Sequence, residues 1–233
     1  NHRFVAGASP TLVGLLLEAL CRQSDDTEDD WNVAVASASC LANVARCVGD
    51  DVVGLVFPFI EQHIRSADWH RREAASNAFG SILEGPSEAT LGRFMPQAID
   101  LMIGHMRDPV VHVKDTAAWA IGRICELHIR NSSQPQWVAM TKPLAPGESD
   151  EAEGVLLAGL KDAPRVANNV CVALHNLAEH CEETRDEPTN VLSPLFIPLA
   201  QALLACTERP DATESNLRCP AYASLTTTLT HPA

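Results

Sequence analysis

The sequence is short of aromatic residues, of positive charge and of long apolar runs, and each shortage removes a class of function. Aromatics make up 5% of the 233 residues, with a single Tyr. Modules that stack RNA bases on an aromatic platform need more than that. Lys and Arg number 17 against 30 Asp and Glu, for a formal net charge of -13. Nucleic acid and anionic membranes both demand a basic surface, so neither is an expected ligand. The balance favours a basic partner. The longest apolar run, near Leu12–Leu17, is broken by Gly14 and followed by Glu18. It falls far short of the about 20 residues of a membrane span. What remains is ordinary for a folded chain: 46% hydrophobic and 20% charged residues, too apolar for a disordered one.

The eight cysteines stand at 21, 40, 47, 125, 171, 181, 206 and 219, with no CxxC pair and no zinc-ribbon spacing. The start, Asn1-His2-Arg3-Phe4, leads into no signal-peptide core. Reduced thiols inside the cell are the expectation. Catalytic signatures are also missing: there is no HExxH, GxSxG, P-loop or Gly-rich dinucleotide motif. Neither an enzyme nor a cofactor is expected. Cys171 and His175 lie one helical turn apart, with His180 and Cys181 nearby. They read either as metal ligands or as buried repeat positions, and the apolar pattern around them favours burial.

The chain repeats. Residues 68–83 and 111–125 share a charged pair, two small residues, an Ala, a large apolar residue, Gly, one residue and Ile. Anchoring on Gly80 and Gly122 gives a period of 42. The same phase fits Ala42, His175 and, more weakly, Ala223, with successive spacings of 38, 42, 53 and 48. Val113, Ala117, Ala120, Ile121 and Ile124 recur at three- and four-residue steps, the signature of an amphipathic helix. A first helix is predicted before each such second helix, over 10–22, 52–65, 88–106, 151–160 and 191–206. Pro58 and Pro96 should kink theirs. Asp108-Pro109 marks a break, with Pro at an early helical position, and Asp68 is a predicted N-cap.

A pair of about 40 residues cannot bury its own apolar face, and stacking pairs solves this. The predicted fold is therefore all-α, a right-handed α-solenoid of about five HEAT repeats. The repeats are placed at 10–48, 50–85, 88–128, 135–182 and 190–230. An acidic loop (24–30), a polar Pro-rich segment (131–150) and an acidic connection (182–189) interrupt them. Without polar capping repeats, the chain reads as a piece of a longer array.

Two features point to binding. Asp25, Asp26, Glu28, Asp29 and Asp30 place five carboxylates within six positions. Each exposed pair is worth about 0–1 kcal/mol, so their summed field acts on association rate and partner choice. A solvated loop is the plain alternative. A calcium loop would need alternating Asp/Asn, a central Gly and a closing Glu, which are absent. The second feature is a mostly polar column on the second helices. Trp119 shares its phase with Ser39, Asn77, Val172 and Pro220. Four residues earlier stand Val35, Glu73, Asp115 and Asn168; four later stand Asn43, Ser81, Arg123 and Asn176. Stacked side by side, these helices would form a concave wall on which Trp119 lies against Lys or Arg stems, with Asp115 and Glu73 pairing the charged heads. A Trp at helical spacing is otherwise a core residue. Trp69 is read as packing.

Several strings resemble the importin-beta family, the karyopherin-beta nuclear import receptors. They are Asp29-Asp30-Trp31-Asn32, Phe57-Pro58-Phe59-Ile60-Glu61, Ala78-Phe79-Gly80-Ser81-Ile82-Leu83-Glu84-Gly85-Pro86, Asp115-Thr116-Ala117-Ala118-Trp119, Ile121-Gly122-Arg123-Ile124-Cys125, Pro164-Arg165-Val166-Ala167-Asn168-Asn169 and Arg209-Pro210-Asp211. The resemblance covers nearly the whole chain and corresponds to the middle of the receptor, around its eighth to twelfth repeats. It implies a protein that shuttles between cytoplasm and nucleus and binds the basic N-terminal helix of importin alpha, or basic cargo, on its inner face. Release by Ran-GTP is implied as well, with the acidic loop and Trp31 at the shared site. FG-repeat nucleoporins are implied partners, with sites largely in earlier repeats. The family carries a further inner-surface Trp where this chain has Val172. A HEAT scaffold for phosphatase or translation-factor assembly, without a transport role, is the open alternative.

Overall fold

Amphipathic periodicity becomes paired helices. The computed structural model describes residues 2–23, 32–182 and 192–230. The acidic residues Asp25, Asp26, Glu28, Asp29 and Asp30, together with Trp31, lie outside them, as does most of the 182–189 connection. Among the described residues there is no strand, and no helix is long and apolar enough to cross a membrane. The chain divides into two compact units, Asn1–Leu101 and Met102–Ala233.

The first unit holds α1 (His2–Leu20), α2 (Val33–Val48), α3 (Asp51–His63), α4 (Trp69–Ile82) and α5 (Glu88–Leu91). Each of the first three helices buries one stripe at helical spacing: Val13, Leu17 and Leu20; Leu41, Val44 and Ala45; Val52, Val56 and Ile60. Helix α4 is buried nearly all round, from Glu73 through Ile82 apart from Asn77. Its Ala, Ser and Gly residues let α2 and α3 approach it closely. The predicted cap is present, with the Asp68 side chain accepting from His70 N. Asn32 caps α2 in the same way, through Val35 N at 3.0 Å. Asp50 joins neighbouring turns: its carboxylate accepts from Ser87 N at 2.7 Å and from Ser87 Oγ at 3.0 Å, which lowers its pKa.

The helix predicted over 88–106 is two helices. α5 stops at Gly92, and α6 (Met95–His105) begins after a turn. Gly is a weak helix former, and the turn carries the Phe94 ring to 4.2 Å from that of Phe57. Pro96 therefore sits at the start of α6, where a missing N–H costs nothing, rather than kinking a long helix. Leu91, Met95, Ala98, Ile99, Met102 and Met106 are all buried, as their spacing predicts. Helix α6 spans the division between the units.

The second unit holds α7 (Val111–Leu127), α8 (Gln134–Thr141), α9 (Val155–Gly159), α10 (Pro164–Glu182), α11 (Phe196–Thr207) and α12 (Arg218–Thr230). Pro109 precedes α7 instead of lying inside it, and Asp108 accepts from Val110 N at 2.9 Å. The polar 131–150 segment contains α8, which shows no apolar stripe because only Gln136, Met140 and Thr141 are buried. The helix predicted over 151–160 shrinks to a 3-10 turn, Asp150–Ala152, and the five residues of α9. Gly154 explains the break: its backbone is pressed against that of residues 140–142, where a Cβ would lie 2.6 Å from Lys142 N. The helix predicted over 191–206 likewise opens with a 3-10 turn, Ser193–Leu195.

Close approach also sets a stability test in the first unit. A Cβ at Gly85 would fall 2.4 Å from the Ala45 carbonyl carbon and oxygen, whereas one at exposed Gly54 on α3 meets nothing within 4 Å. Gly85→Ala is expected to destabilise by about 1–3 kcal/mol through overpacking. Gly54→Ala should stabilise by about 0.5–1 kcal/mol. Urea unfolding of both variants checks the contrast.

Candidate functional site

The second helices of the second unit pack side by side, with α10 between α7 and α12. Small residues make this possible. A Cβ at Gly122 would be 3.6 Å from Ala173 Cα, so the α7 and α10 backbones lie almost in contact. Polar side chains then bridge the seam. Asn176 Nδ2 donates to the Gly122 carbonyl at 3.1 Å, and Asn169 Nδ2 donates to Asp115 Oδ1 at 2.8 Å. Between α10 and α12, Thr227 Oγ1 and His175 Nδ1 are 2.8 Å apart.

Trp119 stands on α7 one turn beyond Asp115 and one turn before Arg123, and it is half-buried. It is neither sealed in the core nor fully exposed. Asn168, Asn176 and Arg123 are half-buried as well, and Val172 is 41% exposed. The column of the second unit thus presents an indole and a valine between rows of amides and charges.

Its charges are engaged within the chain. Arg165 Nε donates to Asp115 Oδ2 at 2.8 Å, and its Nη2 is 2.7 Å from the same oxygen. Burial raises the Asp115 pKa; Arg165 and Asn169 work against that rise. Asp115 is therefore not an open anion awaiting a partner's head group. Arg123 Nη1 donates to Glu126 Oε2 at 2.6 Å, and His175 Nε2 is 3.4 Å from Glu179. Glu126 and Glu179 keep exposed carboxylates, at 46% and 59% side-chain exposure.

The first unit holds the other candidates. Glu73 is buried; it accepts from Gln23 Nε2, and from Asn77 Nδ2 at 3.4 Å. Asn77 in turn accepts from Ser81 Oγ at 3.3 Å. Glu73, Asn77 and Ser81 thus form one hydrogen-bonded line along α4. Trp69 is half-buried and stacks on His70, with centroids 3.8 Å apart.

Arg165 and Asn169 were missed as parts of the column. Their signal was present: they stand one turn apart at the start of α10, facing the acidic position of α7. Arg209 was missed too. It donates to Asp211 from Nε at 2.9 Å and from Nη2 at 2.7 Å, and to the Leu160 carbonyl at 2.8 Å, fixing the turn after α11 to the end of α9. Cys171 and His175 do not converge. Cys171 is buried, whereas His175 is half-buried and meets Thr227. Among the described residues no group of three or more His, Cys, Asp or Glu could hold a metal ion.

Helix pairs whose second helices stack through small residues define a HEAT-repeat protein, and a HEAT-like repeat model matches residues 69–124. A model described as importin subunit beta-1-like, TPR repeats, matches residues 154–233. Importin subunit beta-1 of Schizosaccharomyces pombe is 40% identical over 231 residues, covering 99% of this chain and 25% of that protein. The structure of Kap95 in complex with Nup1 superimposes with a TM-score of 0.86 at 31% identity, over 100% of this chain and 25% of Kap95. Kap95p whose binding switches the loops of RanGDP to the GTP-bound conformation gives 0.85 at 31%, over 100% and 26%. The chain belongs to the importin-beta family and corresponds to about a quarter of the length of these relatives.

The buried pair gives a test with a pH signature. Arg165→Met strands Asp115 and should cost about 3 kcal/mol at neutral pH. Burial favours the protonated carboxyl in the fold, while in the unfolded chain it titrates in the ordinary aspartate range. The folded protein then binds more protons, so the penalty grows as pH rises above that value and shrinks as pH falls towards it. Urea unfolding of the variant and the parent at pH 4 and pH 7 reads the difference.

Proposed function

We propose that this chain is a segment of a nuclear import receptor whose second-helix wall binds a basic helix, either the N-terminal helix of an importin-alpha adaptor or a basic cargo signal. The observation that carries this reading is the setting of Trp119. It is the one indole on α7 and α10, half-buried, one turn before Arg123 and two before the exposed Glu126, and it shares its phase with Val172, which Asn168 and Asn176 bracket on α10. The wall already holds a guanidinium of its own, since Arg165 sits in the grip of Asp115. A partner's Lys or Arg stem lies on the indole, its head near the glutamates, and the amides hydrogen-bond its backbone and side chains. Glu73 and Asn77 hold the corresponding positions on α4 of the first unit.

The acidic run Asp25–Asp30 and Trp31 add attraction for the same helix. Five like charges accelerate encounter with a basic partner and lose that effect in salt. Ran in its GTP form releases the partner, and the protein shuttles between cytoplasm and nucleus. The relatives support this direction, because solved structures of Kap95 include complexes with Ran and with Nup1.

Titration with an Arg/Lys-rich helical peptide at two salt concentrations tests the site. Trp119→Ala should weaken binding by about 1 kcal/mol, roughly fivefold. Neutralising Asp25, Asp26, Glu28, Asp29 and Asp30 should flatten the salt dependence. Absence of binding, or binding indifferent to both changes, rejects the wall. Adding Ran loaded with GTP or GDP separates transport from scaffolding: a receptor releases its peptide to the GTP form alone, and a scaffold to neither.

A further inference from the structure

The joint between α3 and α4 carries a histidine that the proposed wall does not use. His63 is the last residue of α3 and is 7% exposed. Its Nε2 lies 3.3 Å from Arg71 Nη1 on α4. A guanidinium only donates, so this contact needs a neutral ring with its proton on Nδ1. The Phe59 ring packs edge-on against the imidazole, with centroids 4.6 Å apart. The turn between the helices is tied down at the same place. Ser66 N donates to the His63 carbonyl at 3.0 Å, and Arg72 Nη1 donates to the Ser66 and Ala67 carbonyls at 2.8 and 3.0 Å. Burial and the Arg71 charge hold the His63 pKa below the ordinary histidine range, against a smaller upward pull from Glu18 on α1. Cys21 on α1 is near Arg71 as well, but burial raises its pKa and leaves it an uncharged thiol. On α4, Glu73 accepts from Gln23 and Asn77, and the Asp68 carboxylate before it is paired with the His70 ring, which keeps Asp68 below the usual carboxylate range. Arg46 on α2 is engaged by Glu84, while Glu61 on α3 and Arg22 and Arg65 are exposed.

We propose that His63 and Arg71 form an acid-released latch between α3 and α4, in which a proton taken up at His63 Nε2 ends the hydrogen bond and turns Arg71 over to Asp68. A protonated ring has no acceptor to offer, and two cations in that contact repel each other. The alternative partner is already in place: Asp68 Oδ2 stands 3.8 Å from Arg71 Nε, and half of the Asp68 side chain is exposed. Once Arg71 has moved, the turn keeps the bonds from Arg72 but loses its tie to the buried ring. The unfolded or opened chain takes up this proton in the ordinary histidine range, and the closed joint only at lower pH. The open form therefore binds more protons, so the latch weakens as pH falls through that range. This device does not depend on the wall having a basic partner.

The test compares the protein with His63→Gln by hydrogen exchange at pH 7.5 and pH 5.5. The Gln amide oxygen accepts from Arg71 as the ring does, and it does not titrate. At pH 7.5 the amides of residues 64–72 should be protected alike in the two proteins. At pH 5.5 they should exchange about tenfold faster in the parent, because this pH lies about one unit below the ordinary histidine pKa and opening gains that factor from proton uptake. Titration of the His63 ring by nuclear magnetic resonance gives a second reading, which stands even if the Gln variant does not fold. The ring should titrate below the ordinary range in the parent and move up towards it in Arg71→Met. Equal exchange in parent and His63→Gln at pH 5.5, or a His63 titration that Arg71→Met leaves unmoved, overturns the proposal.

Discussion

The seam between α7 and α10 closes because neither helix puts a long side chain on it. Gly122 faces Ala173, and an added methyl there would already be in van der Waals contact with α10. Two helices this close bring their polar edges within hydrogen-bonding distance, so Asn176 reaches the Gly122 carbonyl and Asn169 and Arg165 reach Asp115. The small residues belong to the packing, but what they determine is the register of the polar column. A larger residue at the seam would separate the helices and leave Asp115 buried without its guanidinium, which is costly.

That register also decides which charges a partner meets. Asp115 looks like an open carboxylate in the sequence, yet it spends its charge on Arg165, 50 residues away. Glu126 shares its charge with Arg123 and Glu179 stands 3.4 Å from His175 Nε2, while both carboxylates keep much of their surface in water. The net charge of -13 is therefore not spread evenly over the wall as attraction. The surface around Trp119 is better suited to shape, amide hydrogen bonds and cation–π contact than to bare Coulomb attraction.

Local and repeating features were legible in the sequence. The Asp68 cap, the buried face of α7 and the small-residue character of α4 all follow from spacing and side-chain size. The break between α5 and α6 was not, because Gly92 is only a weak signal until Phe94 is seen against Phe57. Helix α8 was hidden for a different reason: its buried residues, Gln136, Met140 and Thr141, form no apolar stripe. Of the candidate site, the shared phase of Trp119, Asn168 and Asn176 was readable, and the fold leaves all three half-buried. The pairing of Asp115 could not, since it depends on how two helices 50 residues apart are set against each other. The acidic residues and Trp31 lie outside the described residues.

Val172 sharpens the consequence for recognition. It occupies the phase of Trp119 on the next second helix and is 41% exposed, so it presents an apolar surface without a π face. A cation can stack on the α7 indole, whereas the α10 position offers only aliphatic contact to its stem. On the proposed wall, a Lys or Arg would therefore find a stronger contact on the α7 row than on the α10 row. A basic helix lying across both would be anchored on the α7 side of the seam, with the amides of Asn168 and Asn176 on the α10 side accepting a wider range of side chains.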